Sequence, residues 1–310
     1  MTHTQIGEMG VYDFEAGSQG MSAVLGGAFR MGAGAIYAEE GPERLVEVAP
    51  FRIDRRPVSN RDFAAFVKAT GHVTAAERAP SSELYPDVDP ARLKPGALVF
   101  QPPRGPAAHW RDWWGYVPGA TWLKPDGKTS VYRGKLDHPV VCVGFEDAQA
   151  YACWAGKDLP TEAEWELAAR GGLDGALYAW GDQRTPGGRA MANTWTGVFP
   201  HQNLAPPGQK ATSEPGAFPA NGHDLFDMIG NVWEWTRDYF VAAGKSSGCC
   251  GASASYDPDL PGVRIPRRVV KGGSHLCHES YCDRYRPAAR QPQMEDTAAI
   301  HIGFRCVVRP

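Results

Sequence analysis

The chain has 310 residues and 43% hydrophobic residues, enough to bury a core as one large domain or two small ones. Its formal net charge of −3 and the lack of any run of five basic residues give no electrostatic pull toward nucleic acid or an anionic membrane. No apolar run approaches the ~18 residues of a membrane span.

Residues 1–20 carry neither a basic nor an apolar region of the kind that makes a signal peptide, so they read as a flexible arm ahead of one domain over 21–310. Residues 25–32 read as a short strand entering a turn. Residues 45–48 and 51–54 alternate as a pair of strands broken at Pro50. Ser59 and Asp62 cap a helix with a buried stripe of Phe63, Phe66 and Val67, ended by Gly71. Residues 79–137 lack clear periodicity yet hold Trp110, Trp113, Trp114, Tyr116 and Trp122. An ordered loop follows from the aromatics, either packed on the core or binding a peptide.

Residues 139–143 read as a buried strand and 146–155 as a helix stopped by Gly156. Thr161 and Glu164 form a capping box, and Gly171 closes that helix with Trp165, Ala168 and Ala169 facing inward. Glu162, Glu164 and Glu166 are expected on its cap and solvated face. Beyond residue 171, short Trp-centred pieces alternate with Gly/Pro loops. The 36 Gly, 26 Pro and ten Trp describe an ordered, loop-rich α+β domain with little regular secondary structure.

Seven cysteines, an odd number, argue for a reducing, cytoplasmic setting without a disulfide framework. Cys277 and Cys282 are five residues apart in the stretch VKGGSHLCHESYCDRYRPAAR, residues 270–290. The spacing alone allows a disulfide, a soft-metal site or inert core thiols. Zinc would want four ligands, so a two-thiolate metal site suits Cu(I) better.

The whole stretch resembles the active-site block of the formylglycine-generating enzymes, the aerobic sulfatase-activating oxidases. The match runs through Lys271, Gly272, Gly273, Ser274, Cys277, Ser280, Tyr281, Cys282, Arg284, Tyr285, Arg286, Ala288, Ala289 and Arg290. It continues in Gly303-Phe304-Arg305-Cys306, in LPTEAEWE before Ala168-Ala169-Arg170-Gly171-Gly172, and in Trp113-Trp114, Val117, Gly119-Ala120 and Trp122. The resemblance implies the family's fold, a single domain distantly like C-type lectins. It implies that Cys277 and Cys282 hold Cu(I) as two thiolates, with Ser274 near an oxygen pocket and His278 and Tyr281 orienting the ligands. The implied reaction turns the cysteine of a C-x-P-x-R motif, in an unfolded sulfatase polypeptide, into formylglycine with O2. A monomer is expected, with no nucleic-acid or membrane partner.

The resemblance also places a structural Ca²⁺ at Asp227, Gly230, Val232 and Glu234. Sequence alone would make Asp227 a cap and Glu234 a buried ion pair. Asn193 and Thr194 match part of a second calcium site, but residues 205–210 lack the expected Asp. Where secreted-pathway members pair extra cysteines, this chain has Ala152, Ala169 and Pro287, leaving only Cys306. Two other readings remain: an iron-dependent sulfoxide synthase of related fold, which needs a histidine cluster, and a non-enzymatic lectin-like module, which needs no cysteine pair.

Overall fold

Alternating and capped stretches set the regular elements of this computed structural model, which describes residues 20–107, 109–241 and 251–310. All but one residue of the expected N-terminal arm, together with Cys249 and Cys250, lie outside the described residues. In chain order the strands are β1 (Met21–Val24), β2 (Gly27–Met31), β3 (Arg44–Val48), β4 (Phe51–Asp54), β5 (Gly96–Phe100), β6 (Trp114–Pro118), β7 (Gly197–Val198), β8 (Gln202–Asn203), β9 (Trp233–Tyr239), β10 (Arg267–Lys271), β11 (Arg290–Met294), β12 (Ile302–Gly303) and β13 (Val307–Val308). The helices are α1 (Asn60–Thr70), α2 (Phe145–Trp154), α3 (Glu162–Arg170) and the one-turn α4 (Gly251–Ala254).

Two sheets have three or more strands among the described residues. One has the order β11-β10-β9-β12, with β12 parallel to β9 and the other pairs antiparallel. The other is β1-β4-β13. The expected strands at 45–48 and 51–54 both form, but they join different sheets: β3 pairs with β2, and β4 with β1 and β13. The core between helices and sheets is aromatic. Phe63 packs edge-on against Trp122 with ring centroids 5.3 Å apart, and Trp165, Trp235 and Phe304 are fully buried.

Helix signals translate directly. The Ser59 hydroxyl accepts from the Asp62 amide at 3.1 Å, and Gly71 leaves α1 in the left-handed region at φ 69°. Thr161 does the same for Glu164 at 3.1 Å, and Gly171 closes α3 at φ 58°. α2 begins and ends one residue earlier than expected.

Two expectations are corrected. Residues 139–143 are buried but form no strand. Cys142 sits at φ 58°, which breaks the extended run, so the backbone is tied by single bonds, Val140 N–H to Val58 O and Cys142 N–H to Ala299 O. Residues 79–137 contain the β5–β6 hairpin, whose strands pair antiparallel from Gly96 opposite Pro118 to Phe100 opposite Trp114.

The larger correction concerns α3. Its three glutamates do not face solvent: Glu162 and Glu164 are 7% exposed and Glu166 1%. Glu162 accepts from Arg290 Nη2 at 2.9 Å, and Glu164 from Arg309 Nε at 2.7 Å. Glu166 accepts from Lys271 Nζ at 2.9 Å, Arg170 Nη2 at 2.7 Å and the Gly32 amide at 2.7 Å. Burial opposes ionisation of Glu166, but the Lys271 and Arg170 charges win and hold its carboxyl below the ordinary range.

Removing one member of such a buried set leaves its partners charged and unpaired. Glu166→Ala is expected to cost about 3–5 kcal/mol, read as a fall in Tm of roughly 10 °C. Arg61→Ala removes only the exposed pair with Asp137 and is expected to leave the Tm nearly unchanged. Similar melting of the two variants would show that the buried network does not hold the fold.

Candidate active site

β10 delivers the chain to the site. Lys271 ends it, tied to α3, and Gly272-Gly273 then turn sharply at φ 94° and 75°. A Cβ on Gly272 would stand 2.7 Å from Met228 O, and one on Gly273 2.7 Å from Arg284 O. Only glycine combines that backbone with that contact. The next residues wind into two tight turns, with Cys277 N–H donating to Ser274 O at 2.9 Å and Cys282 N–H to His278 O at 2.8 Å.

These turns bring the Cys277 and Cys282 sulfurs to 3.1 Å. A disulfide would need about 2.05 Å, so this is a hydrogen-bonded pair of free thiols. The Cys282 thiol is held below its ordinary range by the hydrogen bond from Cys277. The Cys277 thiol is pushed well above it by the same bond and by burial. The Ser274 amide donates to the Cys277 sulfur at 3.4 Å, and the Ser274 hydroxyl accepts from the Leu276 amide at 3.2 Å. The five cysteines among the described residues are all free.

The pair forms part of the wall of a cavity of about 490 Å³. Aromatic side chains make much of that wall: Phe100 and Trp114 from the hairpin, Phe199, Trp233 and Tyr281. Tyr281 stacks on Phe199 at 4.6 Å and meets Trp113 edge-on at 5.5 Å. The long Trp-rich stretch packs on the core and also reaches the cavity wall. Trp113 and Trp122 are buried, while Trp114 faces the site. A second cavity of about 630 Å³ adjoins the first at Pro292 on β11, with Asp87, Asp89, Asp257 and Asp296 among its walls.

A model of the sulfatase-modifying factor enzyme 1-like domain matches residues 12–310. The chain belongs to the formylglycine-generating enzyme family. It is 53% identical to the formylglycine-generating enzyme of Mycobacterium tuberculosis over 92% of this chain and 96% of that one. The family also includes a mouse protein named inactive Cα-formylglycine-generating enzyme 2, 39% identical over 91% of this chain and 83% of that one. The chemistry of the site, not kinship alone, therefore carries the functional argument. The solved structure of PvdO from Pseudomonas aeruginosa shares the fold, with a TM-score of 0.57, 22% identity and 93% coverage of each chain.

Of the residues expected in the family's oxidation site, Cys277, Cys282, Ser274 and Tyr281 line the main cavity. His278 does not. Its ring bonds the Ser280 hydroxyl at 2.8 Å and its carbonyl caps the turn, so it shapes the ligand loop. Sequence reasoning missed Trp233, Phe199 and His301. His301 lines the cavity with a buried, unpartnered Nδ1, its ring 4.7 Å from Trp114. Burial, helped by nearby His275, pulls its pKa down to about 3, so it is neutral. No local pattern marks these residues, since each arrives from a different loop or strand.

The expected calcium ligands divide. Asp227 is 6% exposed, and neither carboxylate oxygen has a hydrogen-bond partner among the described residues. Neighbouring Asn231 spends its side-chain amide on Ser213, at 3.0 Å in each direction. Burial pushes the Asp227 pKa up to about 7. An orphaned carboxylate of this kind suits a hard cation. Glu234, in contrast, has both oxygens engaged: Arg305 grips them at 2.7 and 2.8 Å, and Trp165 Nε1 donates at 2.8 Å. It is the buried ion pair that sequence alone allows. Among the described residues no three His, Cys, Asp or Glu side chains converge as a metal cluster. Asn193 donates to Ala211 O at 2.8 Å and Ser213 Oγ at 3.1 Å, tying down the loop that lacks the expected Asp.

Asp227 makes a signed pH prediction. Its folded pKa lies above its unfolded value, so its contribution is intact below pH ~4 and is lost as pH rises through about 7. In chelator-treated protein, Asp227→Asn should match wild type near pH 4. By pH 8 it should be more stable by up to about 4 kcal/mol. Urea unfolding of both proteins across that range measures it, and parallel curves would mean that the carboxylate is satisfied.

Proposed function

We propose that this chain converts the cysteine of a C-x-P-x-R segment in a sulfatase polypeptide to Cα-formylglycine, using O2 and a Cu(I) ion held by Cys277 and Cys282. The observation that carries the reading is the pair of sulfurs 3.1 Å apart on an aromatic-walled cavity. Soft thiolates select Cu(I), and two of them leave room for a third, incoming sulfur. When bound, the metal supplies the O2 activation that organic side chains cannot provide alone.

The chain's own residues do the rest. The hydrogen bond with Cys277 lowers the pKa of the Cys282 thiol, which makes that sulfur the easier one to deprotonate. The Ser274 amide stabilises negative charge on the other. Trp195 N–H fixes the Cys277 carbonyl at 3.0 Å, so the ligand loop is set before substrate arrives. Phe199, Trp233 and Tyr281 keep bulk water off the reacting sulfur. The arginine of the motif lies four residues past the cysteine, about 13 Å in an extended chain. The adjoining cavity would then meet it with Asp87 and Asp89, since Asp257 is paired with Arg267 and Asp296 accepts from the Tyr85 hydroxyl.

Asp227, with the carbonyls of Gly230 and Val232, would hold a structural Ca²⁺. Its unpaired oxygens support this, while Glu234 contributes charge nearby rather than a free oxygen. The free cysteines favour a reducing, cytoplasmic setting.

Peptide mass after aerobic incubation with Cu(I)-loaded protein tests the chemistry. A Cys-x-Pro-x-Arg peptide should lose its thiol and gain an aldehyde. Conversion should drop at least 100-fold in Cys277→Ser and Cys282→Ser, and less than 10-fold in His278→Ala, whose role is to orient. Full activity in either Ser variant would refute the two-thiolate reading. Asp89→Lys should raise KM for the Arg peptide about 10-fold and leave a peptide with Gln in its place unchanged.

A further inference from the structure

Cys277 also borders a third cavity, of about 290 Å³, whose walls share no other residue with the main one. Loop residues 184–197 form much of it, with Tyr285 and His278 from the cysteine block. Its lining mixes polar groups, among them Thr185, Thr194, Thr196 and Tyr285, with Trp180, Met191 and Trp195. Arg184 is the only Lys or Arg among the described residues of its wall, and it donates to the Tyr285 hydroxyl at 3.4 Å. It pairs with Glu279, and both side chains are about half exposed, so the pair is cheap to exchange. The volume holds roughly ten water-sized groups, far more than dioxygen needs.

The proposed reaction leaves a requirement that such a space can meet. Turning a cysteine side chain, R–CH2–SH, into the aldehyde R–CHO and hydrogen sulfide with a water oxygen releases two electrons and two protons. Reducing O2 to two waters consumes four of each. Two electrons must therefore come from outside, and two molecules of a small thiol, R′SH, supply them on forming one disulfide. In balance, one R–CH2–SH, one O2 and two R′SH give one R–CHO, one hydrogen sulfide, one R′SSR′ and one water. The substrate polypeptide occupies the main cavity while this happens, so the reductant needs another approach to Cys277.

We infer that the third cavity is the docking site of that reductant, a small thiol carrying a carboxylate. The carboxylate sits on Arg184 in exchange for Glu279. The threonines and Tyr285 hold the polar body, and the thiol points toward the Cys277 wall. The inference rests on the proposed oxidase reading, and its test is arranged to separate the two.

N-acetylcysteine is the anionic probe and 2-mercaptoethanol the neutral one. With peptide and O2 saturating, Arg184→Gln should raise KM for N-acetylcysteine at least 10-fold and leave KM for 2-mercaptoethanol within 2-fold. Thr196→Trp, which fills the cavity from an exposed position, should raise both. Peptide KM and Cu(I) affinity should stay within 2-fold of wild type in both variants. On metal-free protein, saturation-transfer NMR should show N-acetylcysteine in contact with wild type and not with Thr196→Trp. Unchanged reductant KM in both variants, or equal NMR contact in wild type and Thr196→Trp, overturns the inference. Should wild type make no aldehyde with any reductant, the oxidase reading fails. The NMR comparison then still decides whether the cavity takes the thiol.

Discussion

Three carboxylates on the nine-residue helix α3 meet cations that arrive more than 100 residues later in the chain. Lys271, Arg290 and Arg309 would each be expensive to bury alone, and so would Glu162, Glu164 and Glu166. Together they are paired and hydrogen-bonded, and the pairing fixes where three C-terminal segments must run. Lys271 is the last residue of β10 and Arg290 the first of β11. The cysteine block is the loop between them. Both of its ends are thus anchored to one helix, and the Gly272-Gly273 turn aims it.

The same device recurs where regular structure is thin. Arg286 donates from Nη2 to both oxygens of buried Glu40, at 2.7 and 2.8 Å, tying the block to an N-terminal turn. Arg305 does so for Glu234 and also donates to Asp54 O and Phe226 O. Directional bonds of this kind replace the ladders a sheet-rich fold would use. They cost desolvation and return position. For a site whose two sulfurs must meet at one distance, position is what the fold has to provide. In the proposed reaction, polypeptide and small reactants would approach the loop from different sides without moving it.

Elements that depend on neighbours in sequence were legible. Ser59 with Asp62, and Thr161 with Glu164, marked two helix starts, and Gly71 and Gly171 their ends, because capping is settled within four residues. What failed depended on distant partners. Nothing near Glu166 announces Lys271, 105 residues away, so a charged helix looked like a solvated one. Residues 139–143 looked like a strand because burial was read from apolar character, while the left-handed Cys142 backbone has no sequence signal. The β5–β6 hairpin was hidden because β5 is largely buried on both faces and shows no alternation. The cysteine pair was visible only through its resemblance to a family. The aromatic walls, the unpaired imidazole of His301 and the engagement of Glu234 by Arg305 needed the fold.

The cysteines show why placement, rather than burial, makes chemistry here. Cys142 and Cys306 are as deeply buried as Cys277. Burial pushes the Cys142 thiol up, helped by Asp126. Burial leads for Cys306 too, helped by Asp54. Both stay protonated and behave as small apolar groups. At Cys277 the burial is no less, yet a second sulfur stands 3.1 Å away and an amide points at the first. The hydrogen bond between the two sulfurs then brings one thiol, Cys282, below its ordinary range. Two isolated thiols in the same core would be inert. Two held together by turns of fixed geometry become, in the proposed reading, a donor set for a soft metal, and the ion pairs beneath them keep that geometry.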